Sequence, residues 1–211
     1  MDVLFLARYH AGMARSLSSG VSSDRAVSAM VERFRSALAE KERMPQREEL
    51  VQLIESGKHV LIGAKALAYY TRPRFTQDTD YVVSGQTFAR IRKWMSQNNV
   101  DHEDLGLVLR FHSLALDVID GRSNDVLKEI LKREGTVPGL EALATAKYVS
   151  MINPQRAERR LQDASDFAAL VVLKDFDLHK LRTYLVGPYA EQWPEVQKLI
   201  DDIKAGRPIT I

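Results

Sequence analysis

The chain has no cysteine, which excludes disulfides, thiolate metal sites and a cysteine nucleophile together. It also lacks a long apolar run, and no segment approaches the length of a membrane span. The one apolar stretch near the start, in "MDVLFLARYHAG", is preceded by Asp2 and soon interrupted by Arg8 and His10. A signal peptide needs a positive start and a longer apolar core, so none is read. The expectation is a soluble cytoplasmic protein with no membrane partner. An excess of charge is missing too: 30 Lys and Arg stand against 28 Asp and Glu, a formal net charge of +2. No whole-protein field therefore argues for nucleic acid, and only local clusters can carry such a case. Repeats and low-complexity tracts are likewise missing. What is present is an ordinary globular composition over 211 residues, 45% hydrophobic and 27% charged. That is enough chain for one large domain or two small ones.

A Ser/Gly-rich stretch, "SLSSGVSSD", offers Ser22, Ser23 and Asp24 as helix caps. Val27, Met30, Val31, Phe34 and Leu38 then recur at helical spacing. Pro45 suits the start of a second helix, "QREELVQLIES", and Gly57 its end. "HVLI" reads as a short buried strand, Gly63 as a turn and "AKALAYY" as a short helix. "DTDYVV" reads as a strand and "QTFARIRKWMSQ" as a helix. Strands follow at 107–111 and 114–119, turning at His112 and Ser113, and then a helix in "NDVLKEILKRE". Beyond Pro138 only helix periodicity remains, with breaks at Pro154 and at Gly187-Pro188. The expectation is an α+β fold: a small mixed sheet with flanking helices and a helical C-terminal part. It divides as an N-terminal helical segment 1–57, an α/β core 58–137 and helices 138–211.

Strand side chains alternate, so Asp78 and Asp80 project from one face. Two close carboxylates repel unless a cation sits between them, and Mg²⁺ prefers carboxylate oxygens, phosphates and water. Asp117 interrupts the apolar run of "LALDVID", where a charge is costly unless paired or bound to metal. If that strand lies beside "DTDYVV", three carboxylates converge and can hold one or two metal ions for phosphoryl transfer. Gly63, at a strand-to-helix junction, lets backbone N–H groups approach a phosphate, and the following helix start adds its dipole. Lys65, Arg72 and Arg74 lie close by in sequence and can meet a triphosphate. Each element alone has a plainer reading. Asp117 can pair with Arg110 across a hairpin, and Arg72 and Arg74 can be solvated loop charges.

The order of these elements resembles the nucleotidyltransferase superfamily with the polymerase-β-like fold. Its pattern is a strand ending in Gly-Gly or Gly-Ser, a spacer, Asp-x-Asp/Glu in the next strand and a later acidic residue. Here the motif reads Gly63-Ala64, a spacer from Lys65 to Gln77, Asp78-Thr79-Asp80 and then Leu116-Asp117-Val118. Gly63, Ala66, Arg74, Thr76, Asp78 and Asp80 match the finer pattern of the bacterial AbiEii-type branch. Lys147 and Gln162-Asp163-Ala164-Ser165-Asp166 resemble the lysine and acidic helix that follow the core in that branch. The resemblance spans residues 58 to 175. It implies transfer of NMP from an NTP to an acceptor hydroxyl on RNA or tRNA, a protein or a small molecule. Asp78, Asp80 and Asp117 would be both catalytic and ligands of Mg²⁺ or Mn²⁺. Gly63, Ala64, Lys65, Arg74, Thr76, Lys147, Asp163 and Asp166 would bind the nucleotide. A toxin role with an antitoxin partner is also implied, and the alternative is a nucleotide- or partner-binding module of the same fold without turnover. Two positions depart from the pattern: Ala64 replaces a second Gly or Ser, and Gln162 replaces a basic residue.

The lysine also stands out by its position. Leu140, Leu143, Ala144 and Met151 form a helical stripe with Lys147 near its centre, so the amine must snorkel outward or meet an anion inside. An anion is expected there. Arg159, Asp163 and Asp166 share one helical face, as a surface ion pair or as part of the site. The five histidines show no metal-ligand spacing, and only His112, close to Asp117, attracts notice. Trp94, Trp193, Tyr69 and Tyr70 are expected in the core, and Arg90, Arg92 and Lys93 on a solvated helix face.

Overall fold

The computed structural model describes residues 23–73, 76 and 78–208. The chain divides into two compact units at Arg43–Met44. Helix α1, Ser23–Glu55, runs across that division with Pro45 inside it, where the sequence suggested a break. Pro45 is exposed, so water can take the carbonyl that its missing N–H leaves unbonded. In the first unit the stripe Val27, Met30, Val31 and Phe34 is exposed.

In the second unit the described residues form a five-stranded mixed sheet. Strand β1, His59–Ile62, leads through helix α2, Gly63–Leu67, to strand β2, Thr79–Val83. Helix α3, Gly85–Asn98, precedes the short β3, Glu103–Asp104, and then β4, Val108–Phe111, and β5, Leu116–Asp120. The sheet order is β1-β2-β5-β4-β3; β2 and β5 run parallel and every other neighbouring pair antiparallel. The turn expected at His112-Ser113 is a 3₁₀ turn, His112–Leu114, followed by Ala115 at φ +52°. The two-residue β3 carries no apolar residue, which is why strand patterning missed it.

Helices then complete the unit: α4, Asp125–Arg133; α5, Leu140–Ile152; α6, Arg160–Val171; α7, Leu178–Tyr184; and α8, Trp193–Lys204. Their starts follow local chemistry. Ser84 caps α3 by accepting from the Thr87 amide at 3.2 Å, and Asn124 caps α4 by accepting from Val126 at 2.8 Å. The core has two parts. Val60, Val82, Ile130, Leu143, Phe167 and Leu170 belong to one, which joins the sheet to α4–α8. Leu50, Ile54, Phe88, Ile91, Leu109 and Val118 belong to the other, with the end of α1 and with α3. Alternation along β2 and β5 puts Val82 in the first cluster and Val83 and Val118 in the second. Helix α5 is buried on nearly every side, as a central helix between layers must be.

Candidate functional site

The parallel pairing of β2 and β5 sets Asp80 directly opposite Asp117. The same row continues to Ile62 on β1 and Arg110 on β4. Directly paired residues share a sheet face, so the two carboxylates stand side by side, with Asp78 just ahead of β2. Register thus brings together two of the three carboxylates expected to converge from "DTDYVV" and "LALDVID", whereas among the described residues no three acidic side chains gather as a metal cluster.

Gly63 closes the row from the β1 side. Its φ is +70°, and a Cβ there would lie 1.9 Å from Asp80 Oδ2. Only glycine leaves room for the Asp80 carboxylate against the backbone at this turn. The helix that follows has five residues, too short for the dipole argued from sequence to matter, so the turn itself is the relevant feature. Lys65, on α2, donates through Nζ to Thr79 Oγ1, which ties the helix to the start of β2. Partial burial lowers the Lys65 pKa, helped by the nearby Arg47, while Asp78 and Asp80 pull it back up.

Asp117 is half-buried, and its Oδ2 lies 3.7 Å from Arg110 Nε, the cross-hairpin pair that the sequence left open. Burial raises its pKa above the ordinary carboxylate value. Arg110 opposes that rise, Asp78 adds to it, and Arg159 and His112 oppose it more weakly.

A cleft of about 680 Å³ opens beside this row. Gly63, Ala64, Thr76, Asp78 and Asp80 line one end, and Lys147 and Asp163 line the wall from α5 and α6. Lys65, Asp117 and Asp166 are not lining groups, and Arg74 lies outside the described residues, as do His10 and Ser22. Thr76 Oγ1 is 3.4 Å from the Asp78 carbonyl oxygen and donates to it.

Lys147 is buried and does not snorkel outward, and the anions it meets are carboxylates of the chain itself, where the sequence pointed to a bound triphosphate. Its Nζ lies 2.9 Å from Asp163 Oδ1 and 2.7 Å from Asp166 Oδ2. Ser150 Oγ donates to Asp163 Oδ2 at 2.6 Å, and Gln162 Nε2 donates to Asp166 Oδ1 at 3.0 Å. Asp163 and Asp166 are therefore not a surface ion pair: both are buried, while Arg159 is exposed. Gln162, a departure by sequence, takes a structural place in this network. Tyr69 is 67% exposed, against the expectation of a core position. Trp94, Trp193 and Tyr70 are partly buried.

Sequence reasoning missed the turn between β3 and β4. Leu105, Gly106 and Leu107 line the same cleft from the opposite sheet edge. The signal was there in "DLGL", an Asp/Gly turn flanked by two leucines, but turn residues alone do not say which cleft they border.

Hard oxygen donors at Asp78 and Asp80 suit Mg²⁺ or Mn²⁺. Among the described residues no three His, Cys, Asp or Glu side chains form a ready metal cage. Mg²⁺ needs only one or two carboxylates when substrate phosphates and water fill its shell, so the pair fits that ion. Among the described residues no helix is long and apolar enough to cross a membrane.

No family model matches the chain, and no curated protein matches it. A solved structure similar to it is that of an antigenic nucleotidyltransferase-like protein from Paracoccidioides brasiliensis. The two share 15% identity at a TM-score of 0.41, over 81% of this chain and 94% of that one.

Proposed function

We propose that the protein is a metal-dependent nucleotidyltransferase that moves NMP from an NTP to an acceptor hydroxyl. The observation that carries this reading is the Gly63–Asp80–Asp117 row: a glycine turn with no room for a Cβ, pressed against one of two paired carboxylates. Two acidic side chains side by side on neighbouring strands favour cations close to them; Arg110 supplies one beside Asp117, and a metal ion held by Asp80 with Asp78 would supply another.

Asp78 and Asp80 would hold Mg²⁺ or Mn²⁺, which when bound supplies charge neutralisation on the phosphates and alignment of the α-phosphorus. The Gly63 turn lets the triphosphate approach the backbone, and Lys65 adds a cation beside it. The acceptor hydroxyl attacks the α-phosphorus: an O–P bond forms, the bond to the bridging oxygen breaks, and pyrophosphate leaves. Asp117 takes the hydroxyl proton, and its raised pKa makes it a better base than an ordinary aspartate. The Arg110 contact favours a second reading, binding without turnover, in which Asp117, which does not line the cleft, serves as a structural partner of Arg110.

Incubation with each α-labelled NTP, Mg²⁺, RNA and protein extract tests the proposal. Label is expected on one acceptor class with the wild type and not with Asp78→Ala/Asp80→Ala. Nucleotide binding without label on anything selects the second reading, and no binding of any NTP sinks both.

A further inference from the structure

We propose that the β3–β4 turn, Leu105–Gly106–Leu107, is an apolar lip on which the nucleobase rests, with Arg92 as the residue that positions it. The inference rests on the nucleotide reading of the cleft and adds to it where the base lies and how it is recognised.

Leu105 and Leu107 are 50% and 44% exposed, yet both line the cleft together with Val108, Ile119 and Leu127. Leucines exposed at the edge of a cleft gain free energy when an apolar ligand covers them. The same cleft contains the Gly63 and Asp80 end, so a nucleotide with its phosphates there can lay its base against this wall. At about 680 Å³ the cleft falls in the range of about 300–1,000 Å³ usual for small-molecule sites.

The turn is held rigidly. From α3, Arg92 Nη2 donates to Asp104 Oδ1 at 2.8 Å and to the Gly106 carbonyl at 2.6 Å. Its guanidinium carbon sits 5.2 Å from the Phe88 ring centroid, which fixes the side chain from its other side. Asp104 Oδ1 also accepts from the Gly106 amide at 2.8 Å, and Gly106 has φ +82°, a conformation glycine supplies freely. The leucines are thus presented in advance, and a ligand meets little ordering cost there.

The same bonds define the recognition. The Leu105 amide donates to Val108, the Leu107 amide to Leu105, and the Leu107 carbonyl accepts from Asp120. With the Gly106 amide and carbonyl also engaged, the amides of the turn are all committed inside the protein. The lip therefore offers apolar contact and little hydrogen-bond reading of base edges. Affinity should follow buried ring area, so purines are favoured over pyrimidines without sharp discrimination within either class.

Calorimetric titration in Mg²⁺ with ATP, GTP, CTP and inorganic tripolyphosphate tests this. The wild type is expected to bind ATP and GTP alike, CTP a few-fold more weakly and tripolyphosphate about tenfold more weakly than ATP. Leu105→Ala/Leu107→Ala should weaken ATP about tenfold and leave tripolyphosphate unchanged, which also shows that the variant is folded. Arg92→Gln should shift ATP in the same direction with tripolyphosphate again unchanged. ATP binding that survives the leucine changes overturns the lip while leaving the nucleotide reading intact. Equal losses for ATP and tripolyphosphate, or a strong preference for one purine, overturn it as well. A wild type that binds none of the four overturns both readings.

Discussion

Gly63 and Ala64 are neighbours with opposite demands on their side chains. At Gly63 a methyl group meets Asp80 Oδ2 and the backbone sits at φ +70°. Gly63→Ala is therefore expected to cost about 1–3 kcal/mol of stability through backbone strain and to displace the Asp80 carboxylate, ending transfer. Ala64 is buried within the first turn of α2, where a second glycine would supply freedom that the turn already has from Gly63. Ala64→Gly should cost about 1 kcal/mol of helix stability and leave transfer in place. Urea unfolding of the two variants beside the labelling assay separates these outcomes; activity in Gly63→Ala would show that the close approach is unimportant. Asp117 makes a different test. Its raised pKa means that burial and Asp78 outweigh the attraction of Arg110, so folding disfavours the charged form. The cost is nil below the unfolded carboxylate pKa, grows as pH rises from there to the raised folded pKa, and is constant above it. Asp117→Asn should match the wild type in Tm at acidic pH, exceed it increasingly as pH rises from the unfolded carboxylate pKa to the raised folded one, hold a constant margin above that, and show no transfer at any pH. A Tm difference that does not vary with pH would contradict this linkage.

Among the elements, α5 and α6 form the wall whose interior the sequence described least well. Lys147, Asp163 and Asp166 make a buried cluster in which one amine serves two carboxylates. Lys147→Ala removes the cation both share, and the expected loss is about 3–5 kcal/mol, measurable by urea unfolding. Lys147→Arg, keeping the charge but not the compact shape, should lose less. A loss under 1 kcal/mol for Lys147→Ala would mean that the acids' other partners, Ser150 and Gln162 among them, satisfy the carboxylates without the amine. The lysine was legible as an anomaly in an apolar stripe, whereas the identity of its anion was not. Helical spacing gives the face of each helix but not which helix it meets. For the same reason the strands β1, β2, β4 and β5 could be read from apolar patterning, but the β2–β5 pairing could not. That contact joins segments separated by α3 and by the β3–β4 hairpin, and it alone brings Asp117 beside Asp80. Pro45 misled in the other direction: local chemistry favours a helix start, but the helix runs through it and forgoes a backbone hydrogen bond there.

At the scale of the whole molecule, the near balance of charge says nothing about the ligand, because the site sets its own field. Asp78 and Asp80 line the cleft end where the triphosphate is expected, with Lys65 close enough to feel both carboxylates. A nucleotide without metal brings its phosphates towards two carboxylates and should bind weakly. A metal without nucleotide finds too few protein ligands among the described residues to be held firmly. Together they neutralise each other's charge at one place, so their effects on stability should be far more than additive. Binding to the folded state stabilises by about 2.7 kcal/mol when ligand stands at 100 times its Kd. Over a chain of this length such a gain moves Tm by roughly 5–11 °C, taking about 2–4 °C per kcal/mol. Thermal melts with NTP alone, Mg²⁺ alone and both should therefore give two small shifts and one large one. EDTA should remove the large shift, and Asp78→Ala/Asp80→Ala should reduce it to the sum of the small ones. Equal shifts with and without Mg²⁺ would mean that the phosphates are held by the Gly63 turn and Lys65 alone, and that the paired aspartates serve some other cation.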